Sequence, residues 1–464
     1  MQVLGHLTPS TTEFRMLQNR KSAVNFCLVL IVLLGAFLRI HTATNSVVDA
    51  PLRADAGQYY SYAYNLRFNG VYSHEFWTRS NNPEYTPSAD AVRSPGYPLF
   101  LLAFVEKSPS LKGILQINLA QAALGILSLF LVFGIARKIL PGAWSLAPTF
   151  LTAISPQLVN VETYILSESL FGFLLLLAVY VCTRYKSEDR SSSTLIVAGF
   201  LFGIATLVRP TTQYFLPVLL LYVALASRRQ LQWQHYAAIA CAFILPSALW
   251  MLRNLITLGI TSDPTLTINT LVHGHYPGMM YNADPATLGY PYRFDPKIQE
   301  LSSSVSSALS GIWERVVDQP AQYLQWYLLG KPVEFLSWSD ASADQGFFIY
   351  PALQSPYLSS KFFIFSYVLM RHTHWIWVAL AILASLYLLL KFCKQSNVIN
   401  ATSVLLAFVF IYFIGIHSVG FPIARYNTPI LALVFILAFV FLYQLTEKIK
   451  SQSATSLEAG IVQK

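Results

Sequence analysis

Residues 49–73 read DAPLRADAGQYYSYAYNLRFNGVYS and, after a polar interlude, residues 93–100 read RSPGYPLF. The stretch is polar and rich in tyrosine, carries the carboxylates Asp49 and Asp55, and lies between apolar segments that dominate the rest of the chain. Behind Asp55 come Gln58, Tyr59, Tyr62, Ala63 and Leu66 at helical spacing, and Asn69-Gly70 closes the run. That pattern predicts a capped amphipathic helix, with Asp55 at the N-cap, Gln58 reaching back from N3 and Gly70 as the stop. A capping Asp contributes about 1 kcal/mol and needs no further role. Packing is the first reading of the tyrosines.

Composition decides what surrounds this stretch. The chain has 464 residues, of which 55% are hydrophobic and 11% charged. Soluble domains carry about 25% charged residues, so this chain is built for lipid. The net charge of +9 invites a nucleic-acid reading. The basic residues, however, sit at the ends of apolar segments, which is the pattern of membrane orientation, and no nucleic-acid partner is expected. Cys27, Cys182, Cys241 and Cys393 lie in or beside apolar segments, so they read as small hydrophobes rather than as a disulfide framework or zinc site.

Apolar windows recur at about 23–40, 113–136, 143–160, 165–183, 194–208, 213–227, 235–252, 374–392, 401–419 and 427–445. Arg15, Arg20 and Lys21 precede the first, which is longer than a signal-peptide core and reads as a retained span. Segments 97–105 and 361–371 are too short to span and read as interfacial. Pro148, Pro156, Pro210, Pro217 and Pro246 break or bracket several spans. Arg137/Lys138, Arg184/Lys186/Arg190, Arg228/Arg229, Lys391/Lys394 and Lys448/Lys450 alternate with short outside connections that hold little beyond Arg209 and Arg425. Basic residues stay inside, so both termini are expected in the cytoplasm.

The organisation that follows is a cytoplasmic N-terminus (1–22), an N-terminal transmembrane module (23–252) with a first outer loop (41–112), a second outer loop (253–373), C-terminal transmembrane helices (374–445) and a cytoplasmic tail (446–464). In the second loop Leu309, Ile312, Trp313, Val316 and Val317 share a helical face. It reads as surface helices at the outer interface, with Trp326 and Trp338 as anchors.

The order D-A-x-x-Y-x-x-x-A-x-N-L-x-x-x-G-x-Y-S, then R-x-P-G-Y-P-L-F, LSESLF (166–171), GIATLVRPT (203–211), LRN (252–254) and RYNTP (425–429) resembles the membrane glycosyltransferases of the GT-C superfamily. The dolichyl-phosphate-mannose protein mannosyltransferase and aminoarabinose transferase branch is the most similar. The resemblance implies an all-α polytopic bundle of about 10–13 transmembrane helices with two large outer loops carrying interfacial helices. It implies transfer of a sugar from a polyprenyl-phosphate donor in the membrane lipid to an acceptor hydroxyl of protein, lipid or glycan, on the outer face. The family's catalytic acid falls on Asp55, with Asp49 second. Many relatives carry Glu after that Asp, and here Ala56 stands in its place, which weighs against a role needing a paired carboxylate. No cofactor is certain. A divalent metal is compatible with the family but not indicated.

The inferred reaction is an inverting displacement with Asp55 as general base. Fixed cations must meet the charge that develops on the leaving phosphate, and the planar fork of arginine suits it. Arg93, Arg209, Arg253, Lys331 and Arg425 are the outer-side candidates, with snorkelling to headgroups as the plainer reading. Tyr59 is a candidate for the substrate site, where tyrosines line a sugar by stacking. Glu162 and Glu168 stand near the ends of the third and fourth spans, where a carboxylate is costly and marks function by default. Glu168 reads equally as a helix cap after Ser167. The rival readings are an oligosaccharide transferase or polymerase using lipid pyrophosphate, and a lipid or sugar transporter.

Overall fold

The computed structural model describes residues 11–76, 85–185, 192–228, 230–279, 285–338, 347–394 and 400–462. Lys186, Arg190 and Arg229, used above for orientation, lie outside the described residues.

The chain enters on α1 (Thr11–Asn45), followed by the two-residue strand β1 (Val47–Val48). The first loop builds α2 (Ala54–Phe68) and the short α3 (Gly96–Leu101). Then come α4 (Leu111–Ala136), α5 (Leu146–Ile154), α6 (Pro156–Val161), α7 (Glu168–Arg184), α8 (Ser193–Val208), α9 (Leu216–Ala226) and α10 (Trp233–Leu258). The second loop holds α11 (Thr265–Gly274), α12 (Ile298–Leu301), α13 (Val305–Asp318), α14 (Pro320–Gln325), α15 (Lys331–Leu336), strand β2 (Ala352–Gln354) and α16 (Pro356–Ser359). The last three helices are α17 (Lys361–Lys394), α18 (Ala401–Val419) and α19 (Leu431–Val462).

Among the described residues, six segments are long and apolar enough to cross a membrane: Ser22–Asn45, Leu111–Ala136, Trp233–Leu258, Lys361–Phe392, Ala401–Val419 and Ala424–Gln452. This is a multi-pass membrane protein. The other four apolar windows fold as shorter helices. Pro156 divides the third into α5 and α6, because proline has no N–H for the preceding turn. α8 packs between α7 and α10, α4 between α1 and α7, and α17 against α18 and α19. The last span is 67% buried and the first 17%, so α19 is the centre of the bundle and α1 its lipid-facing flank. Phe26, Leu30, Leu33 and Phe37 of α1 are accordingly exposed apolar side chains.

The two loops are stitched together. β1 pairs antiparallel with β2, Val48 opposite Ala352, and the Asp49 N–H donates to the Pro351 carbonyl at 2.8 Å.

Two readings of the second loop change. Segment 361–371 is the first third of the continuous helix α17, not an interfacial piece. Its polar break at 371–374 is absorbed without unwinding, since His372 Nδ1 and Thr373 Oγ1 lie 2.8 Å from the carbonyls of Val368 and Leu369 one turn back. Trp326 and Trp338 are buried rather than interfacial. Trp326 Nε1 donates to the Gly274 carbonyl at 3.1 Å, and Trp338 packs edge-on against Tyr367 and His374. Trp313 of the same loop is exposed instead, on α13 with Leu309 and Val317.

Candidate active site

α2 forms where its spacing predicts, and Gly70, with φ +69, stands just past its C-cap. Its N-terminus differs from expectation. Arg53 is the N-cap and makes no side-chain cap, while Asp55 lies inside the first turn. The Asp55 carboxylate turns away from the helix onto two guanidiniums, with Arg93 Nη2 at 2.6 Å and Arg425 Nη2 at 3.0 Å. A cap would offer the carboxylate a neutral N–H, whereas here each oxygen meets a full opposite charge, so the arginines win. Gln58 follows: its Oε1 accepts from Arg93 Nε at 2.9 Å and Nη2 at 2.7 Å rather than reaching back to the cap. Ala54, immediately before Asp55, takes a left-handed φ of 47, a sparsely populated conformation for a residue with a Cβ.

The network continues through Arg425 to Glu168. Glu168 Oε1 lies 3.0 Å from Arg425 Nε and 2.8 Å from Arg209 Nη1. Tyr59 Oη lies 3.5 Å from Ser167 Oγ, and its ring lies under the Arg93 guanidinium at 5.2 Å. Arg209 lies over the Tyr426 ring at 4.6 Å.

Local sequence explains each placement. Pro210 forbids helical backbone at Arg209, whose φ of −143 and ψ of 124 turn it out of α8. Arg425 rides on a 3-10 turn (Ala424–Ile430) pinned by Asn427, whose Nδ2 donates to the carbonyls of Phe335 at 2.7 Å and Ser337 at 3.0 Å. Glu168 opens α7, where the helix dipole favours a carboxylate. Gly96 lets α3 lie against the end of α8, since a Cβ there would sit 2.7 Å from the Leu207 carbonyl oxygen. Arg93 and Arg209 thereby share one wall.

Three arginines face two carboxylates, so the cluster carries one net positive charge. Burial alone favours the neutral acid at Asp55, but Arg425 and then Arg93 outweigh it and hold its pKa well below the usual carboxylate range. Asp55 keeps 30% of its side chain exposed.

The other residues singled out from sequence lie elsewhere. Asp49 is exposed beside the sheet. Lys331 is fully buried, and its Nζ donates to the carbonyls of Gly420 at 2.9 Å and Val419 at 3.2 Å. Arg253 donates to the Asp90 carbonyl at 2.9 Å. Glu162 pairs with Arg39 at 3.0 Å inside the bundle. Arg39 was not singled out, although a charge inside an apolar window is itself the signal.

Residues 97–251, from α3 into α10, about a third of the chain, match the family described as dolichyl-phosphate-mannose-protein mannosyltransferase. The oligosaccharyltransferase of Archaeoglobus fulgidus tethered to an acceptor peptide shares the fold with a TM-score of 0.50 at 14% identity, over 94% of this chain and 51% of that one. The same organism's AglB, in complex with an inhibitory peptide and a dolichol-phosphate, gives 0.47 at 13% identity, over 94% and 52%. ArnT of Cupriavidus metallidurans bound to undecaprenyl phosphate gives 0.41 at 11% identity, over 91% and 78%. The chain thus spans about half the length of the archaeal enzyme. No curated protein matches the sequence.

Proposed function

We propose that the chain transfers a sugar from a polyprenyl-phosphate donor to an acceptor hydroxyl at the outer membrane face, by inverting displacement. The observation that carries this reading is the pairing of Asp55, one oxygen to Arg93 and the other to Arg425. A phosphate suits the same guanidinium forks. The donor phosphate takes Arg93 and Arg425, with Arg209 behind them, and thereby frees the Asp55 carboxylate. Asp55 then accepts the proton of the acceptor hydroxyl as its oxygen attacks the anomeric carbon. The sugar–phosphate C–O bond breaks, and its electron pair leaves with the polyprenyl phosphate, whose growing charge the arginines stabilise. The ArnT structure with undecaprenyl phosphate and the AglB structure with dolichol-phosphate are in keeping with a lipid-linked donor.

The outer face is supported by the distribution of basic residues, since the short connections that carry Arg209 and Arg425 hold no other lysine or arginine, and Asp55 and Arg93 join them in one cluster. On this reading both termini are cytoplasmic.

The test is Asp55→Asn in proteoliposomes supplied with labelled polyprenyl-phosphate sugars. Sugar transfer is expected to vanish while polyprenyl-phosphate binding is retained. Near-normal turnover of the variant would remove Asp55 from the chemistry and with it this mechanism.

A further inference from the structure

Arg93 reaches Asp55 from a loop, and its peptide is gripped from both sides. Its N–H donates to Tyr62 Oη at 3.2 Å, and its carbonyl accepts from Tyr72 Oη at 3.0 Å. The two rings stack with centroids 4.2 Å apart. Tyr62 is fully buried, so its own hydroxyl proton needs an acceptor, and Asp90 Oδ1 supplies it. Asp90 is in turn fixed by three groups. The Val92 N–H donates to Oδ1 at 3.1 Å, the His74 N–H donates to Oδ2 at 2.8 Å, and His74 Nδ1 lies 2.7 Å from Oδ2. From α10, Arg253 donates to the Asp90 carbonyl and lies over the rings of Tyr72 at 5.3 Å and Trp250 at 4.9 Å.

Asp55, Gln58 and Tyr62 share one face of α2, two turns end to end. Tyr62 anchors the main chain of Arg93 at one end of that face, while Asp55 and Gln58 hold its guanidinium at the other. One rigid helix therefore sets both ends of the arginine. We propose that Asp90, acting through the Tyr62 hydroxyl, is the positioning residue that sets Arg93 for the donor phosphate, with Arg253 tying this loop to α10. This rests on the reading above that Arg93 meets a phosphate.

Undecaprenyl phosphate is the probe, and its binding to the detergent-solubilised full chain is the measurement. Tyr62→Phe and Asp90→Asn are each expected to weaken binding about tenfold, and Tyr62→Phe is expected to have no further effect in an Arg93→Ala background, as two residues acting through one contact require. Tyr72→Phe removes the second grip on the same peptide and is the independent variant should Asp90→Asn unfold. Unchanged binding in Tyr62→Phe and Tyr72→Phe, or an equal loss with and without Arg93, would overturn the positioning role. Binding no tighter than that of neutral undecaprenol would instead overturn the donor reading itself.

Discussion

Asp55 holds one arginine on each carboxylate oxygen, and both guanidiniums are the groups a phosphate would take. In the free protein the pairing makes it a weak base: burial pushes its pKa up, but Arg425 and Arg93 pull it further down. The stabilisation from these ion pairs is present above the unfolded value of about 3.9 and is lost only as pH falls through the lower folded value. Under the proposed function the donor phosphate engages the arginines, that hold weakens and Asp55 becomes more basic. The acid limb of kcat, which reports the loaded enzyme, is therefore expected at higher pH than the acid limb of kcat/KM for the donor, which reports the free one. Pre-steady-state and steady-state rates across the acidic range would show this. Coincident limbs would mean that the donor leaves the Asp55 pairs intact.

At the scale of elements, the break between α5 and α6 shows how a polar group enters an apolar bundle. Pro156 offers no N–H to the Thr152 carbonyl. Arg39 of α1 supplies the missing donors, with Nη2 to Thr152 O at 3.2 Å and Nη1 to Ala153 O at 3.0 Å, while its Nε meets Glu162 at 3.0 Å. Removing one partner of a buried pair costs about 3–5 kcal/mol, whereas replacing both by apolar groups is often neutral. Arg39→Ala is expected to lower the unfolding temperature in detergent sharply, and Arg39→Met combined with Glu162→Met to recover most of it. An equal loss in the two proteins would show that the carbonyl contacts, not the charge pair, dominate.

At the scale of the whole molecule, the cluster assembles from α2, the α2–α3 loop, the start of α7, the end of α8 and the turn before α19. The second loop braces this assembly through β2, Asn427 and Lys331. Burial lowers the Lys331 pKa to about 7. Between that value and the unfolded value near 10.4, the unfolded chain holds a proton that the folded chain lacks, so stability rises with pH across that window. Lys331→Met is expected to flatten the rise, measured as thermal midpoints from about pH 7 to about pH 10. An unchanged slope would place its origin in another group.

Periodicity and composition were enough for the membrane class, the helical elements and the helix over Asp55, because those depend on residues close in sequence and on transfer from water to lipid. The proline and glycine positions in RSPGYP and LVRPT likewise mark turns whose backbone constraints are local. The short resemblance motifs brought Asp55, Arg93, Glu168, Arg209 and Arg425 forward one at a time. That these five meet, whereas Asp49, Lys331 and Glu162 do not, was decided by tertiary structure. The capping pattern at Asp55 was legible yet misleading, since a local rule cannot register two arginines that lie 38 and 370 residues away. Charge attraction at contact distance, realised only when five segments pack together, overrode the preference of a single helix end.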